Sequence, residues 1–239
     1  MLGSCSQQLG TVAATAAAAN LTIICPEYGL APEHPFPAGL IDAVSVYKDL
    51  LKQGYQGKNI VLLGDSAGGG MVPALVIQLQ REGVALPAAL GMFSPFADMR
   101  NRGDTTRIMT GIDPLLGGFT NSTGVNDMEG LTAVYLANNA SNLDNPLASP
   151  IEGNYTKLFP NSTLPPTLIQ VGLRETLLSD AVRLYHKMRE AAPTPGHVVL
   201  SPYEGMWHVF QMFYYSPEAQ AASKEMADYF TRALDGSSA

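Results

Sequence analysis

Short, nearly continuous apolar runs alternate along this chain with longer stretches whose apolar positions recur every three or four residues. The first run, Leu21-Thr22-Ile23-Ile24-Cys25, suits a strand buried on both faces of a parallel sheet. Ile60-Val61-Leu62-Leu63-Gly64, the run at 89–95, Thr167-Leu168-Ile169-Gln170-Val171-Gly172 and the run at 197–203 predict further strands. Helical spacing appears from near Pro37 through Leu40, Ile41, Val44, Tyr47, Leu50 and Leu51, and again over 73–80, 177–191 and 218–234. An alanine-rich segment from about Ser6 to residue 19 predicts one more helix, after a glycine-serine turn. Four prolines between 26 and 37 forbid regular structure there and predict a long loop. Strands and helices alternate without a repeat or a linker, which predicts a single α/β domain over 1–239 with a mostly parallel sheet. Residues 96–165 break the rhythm: they are rich in Asn, Gly, Asp and Thr, and only 128–138 looks helical. A stretch this long in a compact domain reads as a functional insertion or lid.

The bulk numbers narrow the function classes. A chain of 239 residues can bury one substantial core. Its formal net charge of −7, with scattered Lys and Arg, argues against a nucleic-acid partner. No apolar run reaches the length of a membrane span, and no basic segment precedes the alanine-rich stretch, so a signal peptide is not expected there. Cys5 and Cys25 are too few for a disulfide framework or a metal site, and Cys25 is expected to act as a small apolar residue at a strand end. Asn-x-Ser/Thr acceptors at Asn20, Asn121, Asn139, Asn154 and Asn161 outnumber the chance expectation and leave a secretory origin open.

Candidate chemistry centres on Gly64-Asp65-Ser66-Ala67-Gly68-Gly69, between a strand and a helix. Gly-x-Ser-x-Gly in that context is a sharp turn that exposes the serine hydroxyl, and Gly64 and Gly68 are expected to supply the room. A phosphate-cradling turn is disfavoured, because neither Gly-Lys-Ser/Thr nor a dinucleotide glycine spacing is present. Serine needs a base to take its proton and a carboxylate to orient that base. Strand carboxyl ends share one edge of a parallel sheet, so both partners should follow later strands. Among four histidines, His34 precedes the serine, His186 is mid-helix on a solvated face, and His197 begins a strand at the wrong edge. His208 follows the last strand and is the expected base. Asp98 and Glu175 both lie just past a strand end and both remain candidates for the acid, while Asp180 reads as a helix residue facing solvent or capping a neighbour.

These residues resemble the hormone-sensitive-lipase-like esterases of the α/β-hydrolase fold. The resemblance rests on Glu27-Tyr28-Gly29-Leu30-Ala31-Pro32-Glu33-His34-Pro35-Phe36-Pro37-Ala38, on 64–69, on 164–172 and on Gly205-Met206-Trp207-His208-Val209-Phe210, in the family's order. It implies that Glu175 is the acid, where members more often carry Asp. It implies acyl-enzyme hydrolysis of small to medium apolar esters by Ser66, His208 and Glu175, with no metal or organic cofactor and with the Ala67 N–H as an oxyanion donor. It says nothing of oligomeric state.

Two departures stand out. Gly29 replaces the family's usual Arg. The family's His-Gly-Gly oxyanion segment, its first three strands and its N-terminal cap have no counterpart, which implies an N-terminally truncated member with impaired catalysis. Without the strand that would lie between them, the runs at 21–25 and 60–64 should either keep unpaired edges or pair directly. The alternative is a non-catalytic ligand-binding protein on an esterase scaffold, as the related gibberellin receptors of plants are; retention of His208 speaks against it.

Overall fold

The structure, a computed structural model, describes residues 5–118 and 127–236; the expected opening turn and Asn121 lie outside them. Four parallel strands form one sheet in chain order: β1 Val61–Asp65, β2 Ala89–Phe93, β3 Thr167–Gly172 and β4 Val198–Tyr203. The two central strands are wholly buried and the two outer ones partly so. Crossover helices make this arrangement possible, since neighbouring parallel strands cannot be joined by a hairpin. Helix α3 (Ser66–Arg81) links β1 to β2, and α7 (Leu178–Arg189) links β3 to β4. Helix α2 (Ala38–Lys52) packs on α3, and α1 (Cys5–Ala19) packs on the C-terminal α8 (Pro217–Leu234).

Period-two alternation divides the core between the sheet's two faces. Leu90, Met92, Ile169 and Val171 join α3 and α7 residues such as Val76, Ile77 and Leu184 in one cluster. Ala89, Phe93 and Leu168 meet Met226, Tyr229 and Phe230 of α8 in the other. Gly91 is required on that second face: a Cβ there would lie 2.6 Å from both Met226 Sδ and Phe230 Cζ.

The connection from β2 to β3 carries more helix than its sequence predicts. It holds α4 (Thr105–Ile108), α5 (Met128–Tyr135), α6 (Tyr155–Leu158) and several single 3₁₀ turns. Part of it forms its own apolar cluster, with Phe96, Met99, Met128, Leu136 and Ala148 gathered around Leu177 at the start of α7. Tyr155, Phe159 and Leu164 enter the main core instead. No helix among the described residues is long and apolar enough to cross a membrane.

Two expectations are overturned. Residues 21–25 form no strand, Ile24 is half exposed, and β1 pairs with β2 alone among the described residues. The run does not pair directly with β1 either. An apolar run becomes a strand only where a neighbouring strand meets its backbone groups; here the Leu21 N–H donates instead to the Ala16 carbonyl at 2.8 Å, and Leu21 packs against the α8-side core. Cys25 is exposed and disulfide-bonded rather than a buried apolar filler. The burial expected for it depends on the strand that does not form.

Candidate active site

Three strand ends converge at the carboxyl edge of the sheet, and each turns through a residue in the left-handed region. Ser66 follows β1 with φ +52°, Ser94 follows β2 with φ +48°, and Val209, beyond β4, has φ +47°. Left-handed backbone is uncommon for any residue with a Cβ and a marked outlier for a β-branched one, so packing must impose it.

At the first turn Ser66 opens α3. Its carbonyl accepts the Phe96 N–H at 2.9 Å, which ties the turn to the exit of β2. Gly64 is required: a Cβ would stand 2.4 Å from the Gly68 carbonyl oxygen. Gly68 is not required in the same way, since a Cβ there would meet only the Tyr28 hydroxyl at 3.8 Å. The close approaches fall on the next two positions. A Cβ on Gly69 would be 3.1 Å from Pro95 Cα, and one on Gly70 would be 2.0 Å from the Phe96 carbonyl oxygen. The room around the turn therefore comes from Gly64, Gly69 and Gly70. The Ala67 N–H lies in the first turn of α3, where no helical carbonyl precedes it.

His208 reaches this serine from the loop after β4. Its Nε2 lies 2.9 Å from Ser66 Oγ, and the histidine is almost wholly buried. That loop can cross the end of β3 because residue 172 is glycine; a Cβ there would stand 2.3 Å from the Met206 carbonyl oxygen. The crossing is fixed by the Arg174 N–H donating to that carbonyl at 2.8 Å. Behind the imidazole, Nδ1 faces Glu175 Oε1 at 3.5 Å, and neither atom has another hydrogen-bond partner. A few tenths of an ångström would close the pair into a hydrogen bond. Glu175 Oε2 accepts two hydrogen bonds of 2.7 Å, from the Gly172 N–H and from Ser94 Oγ. Ser94 Oγ in turn accepts the Val209 N–H at 3.0 Å.

Asp98, the other candidate acid, is paired elsewhere. Asp98 is fully buried but paired to Arg102 at 3.0 Å and Arg183 at 2.6 Å. Burial works against its charge, yet the hydrogen bonds from these arginines and from backbone N–H groups hold its carboxyl below the usual range. Of the two roles expected for Asp180 it takes the second: it is buried rather than facing solvent, and its Oδ2 caps the neighbouring segment by accepting the Ala97 and Asp98 N–H groups at 3.0 and 2.9 Å. Desolvation outweighs those two bonds and lifts its carboxyl to about 7. Asp65, beside the turn serine, is raised by burial and drawn partly back by attraction to His208. His186 is exposed, and His197 bonds the Leu164 carbonyl at the opposite strand end. Gly29 donates its N–H to Asp42 Oδ2 at 2.8 Å, and a Cβ at 29 would press to 2.8 Å from His34 Cβ.

Ser94 is the residue the sequence reading passed over. A serine at the end of β2, on the edge that also carries Ser66, was the available signal. Beside Ala67 opens a small apolar recess lined by Met71, Phe96, Met99, Tyr135 and Leu147.

The chain matches the family model described as an alpha/beta hydrolase fold over residues 1–212, and it belongs to that family. Within it, the chain is a carboxylesterase-like hydrolase whose solved neighbours are esterases of the hormone-sensitive-lipase family. An esterase of Acinetobacter venetianus is 32% identical over 234 residues, which are 96% of this chain and 71% of that protein. An acetyl-hydrolase of Streptomyces hygroscopicus is 34% identical over 236 residues, 98% of this chain and 73% of that protein. The crystal structure of an esterase from the bacterial hormone-sensitive lipase family superposes with a TM-score of 0.84 at 35% identity, covering 98% of this chain and 73% of that one.

Proposed function

We propose that the chain hydrolyses small to medium apolar carboxylic esters through a covalent acyl-serine. The observation that carries this is the 2.9 Å approach of His208 Nε2 to Ser66 Oγ at a left-handed turn, with Glu175 behind the imidazole. Ser66 Oγ attacks the ester carbonyl as its proton passes to His208 Nε2. The oxygen that becomes negative is met by the Ala67 N–H; a single such donor is worth roughly 10²–10³ in rate. When the carbon–oxygen bond to the alcohol breaks, His208 returns the proton to the departing oxygen. Water then repeats the sequence on the acyl-serine and releases the acid. Glu175 holds the imidazole throughout, its second oxygen fixed by Gly172 and Ser94. The apolar side chains around the small recess beside Ala67 favour an apolar acyl group there, and none of these steps requires a metal or organic cofactor.

The test uses a fluorophosphonate probe and an aryl butyrate. Labelling of Ser66, with turnover abolished in Ser66→Ala and His208→Gln, is the expected result. Tight ester binding without labelling would make the chain a binding protein on this scaffold. Equal turnover in Ser66→Ala and the parent chain would remove Ser66 from the mechanism.

A further inference from the structure

We infer that Asn139 and Asn154 carry N-linked glycans and that the chain matures in a compartment that oxidises thiols. Two independent observations lead there, and neither depends on the chemistry at Ser66. The first is the acceptor pattern. With eleven asparagines, fifteen serines and fifteen threonines in 239 residues, a hydroxyl residue should stand two places after an asparagine roughly once or twice by chance; it does so five times. The second is Cys25, which is disulfide-bonded and exposed, a state that persists in secretory compartments and is removed in reducing ones.

The structure separates these sites from ordinary turn asparagines. Asn20, Asn139, Asn154 and Asn161 are all exposed, so a glycan on any of them displaces no core. At Asn139, Oδ1 accepts from Ser141 Oγ at 2.6 Å and from the Ser141 N–H at 3.1 Å. At Asn154, Oδ1 accepts from Thr156 Oγ1 at 2.8 Å and from the Lys157 N–H at 3.0 Å. Both asparagines cap short helices, a role that Asp or Ser fills equally well without a hydroxyl two residues on. In each case these hydrogen bonds fall on the carbonyl oxygen and do not engage the amide nitrogen. Transfer would join that nitrogen to the anomeric carbon of a lipid-pyrophosphate-linked oligosaccharide. The carbon–oxygen bond to the pyrophosphate breaks, the lipid pyrophosphate departs, and the amide nitrogen loses one proton.

The experiment directs the full chain through a yeast secretory pathway and recovers it from both medium and cells. Intact mass is measured before and after amidase removal of N-glycans, with Thr156→Ala, Thr156→Ser and Ser141→Ala alongside. We expect heterogeneous added mass that the amidase removes, one glycan fewer in Thr156→Ala and in Ser141→Ala, and full occupancy in Thr156→Ser. Thr156→Ala leaves the Asn154 cap on Lys157 in place, so loss of the glycan there reports the acceptor and not the fold. A bare mass in both fractions, or added mass unchanged in the two alanine variants, would overturn the assignment of these sites. A free Cys25 thiol in the recovered chain, by alkylation without reductant, would overturn the compartment.

Discussion

Ser94 and Glu175, 81 residues apart in sequence, are joined by a 2.7 Å hydrogen bond in which the serine hydroxyl donates to the carboxylate. Because Ser94 Oγ also accepts from the Val209 N–H, one hydroxyl couples the end of β2 to the acid after β3 and to the residue beside His208. In Ser94→Ala the carboxylate loses one of its two short donors and the Val209 N–H loses its acceptor. Hydrogen bonds to charged groups contribute about 1.5–3 kcal/mol, so kcat/KM on an aryl ester should fall roughly 10- to 100-fold. The loss should appear in kcat with KM nearly unchanged, since Ser94 is buried and touches no substrate. An unaltered kcat would show that Gly172 alone fixes the acid.

Gly172→Ala tests the crossing of the histidine loop over β3. The added carbon would stand 2.3 Å from the Met206 carbonyl, so 206–208 must move away from the strand. A misplacement near 1 Å can cost about 10²-fold in rate, and a loss of that order is expected in kcat/KM, with circular dichroism unchanged. Full activity would mean that the loop reaches its place independently of residue 172.

The two glycines of the serine turn should respond in opposite directions. Gly64→Ala sets a carbon 2.4 Å from the Gly68 carbonyl, backbone against backbone, and should lower the thermal midpoint by several degrees. Gly68→Ala has room and needs no left-handed backbone, and such a replacement stabilises by roughly 0.4–1 kcal/mol by restricting the unfolded chain. Its midpoint should hold or rise. Equal destabilisation by both would contradict the packing around α3.

Asp180 gives the pH dependence of stability a specific source. Its carboxyl sits at about 7 in the fold, against about 3.9 in an unfolded chain. Between those values the folded state holds the extra proton, so stability falls as pH rises through this window and levels off above it. Asp180→Asn keeps an oxygen for the Ala97 and Asp98 N–H groups and removes the titration. The stability difference between variant and parent, from urea unfolding at several pH values between about 4 and 8, should shift in the variant's favour as pH rises. A constant difference would mean that Asp180 is ionised throughout.

Much of the fold can be read from local pattern, and the failures share one cause. The strands β2, β3 and β4 and the helices α2, α7 and α8 fall within a few residues of their periodic segments, because burial on two faces or one leaves a visible rhythm. The run at 21–25 has the same rhythm and no ladder, since hydrophobicity cannot report whether a neighbour is there to pair. Asp180 reads as a helix residue that faces solvent or caps a neighbour, and only the fold chooses between them by bringing it the two β2-exit N–H groups. At the site, the glycine-serine turn and the order of later strand ends point to Ser66, His208 and the choice between Glu175 and Asp98. The arginines that engage Asp98 stand at 102 and 183, and the second could not be placed without the tertiary structure. Ser94 was hidden because a hydroxyl carries no charge or period to mark it.

The three left-handed residues at the sheet edge set the protein's stability against its alignment. Each such backbone state lies on the order of 1–3 kcal/mol above a relaxed one, and Ser66, Ser94 and Val209 hold it together at one place. A substitution that lets one of them relax gains stability while moving a hydroxyl or an imidazole out of register. Selection of this chain for heat resistance alone would therefore drift toward variants that last longer and turn over less.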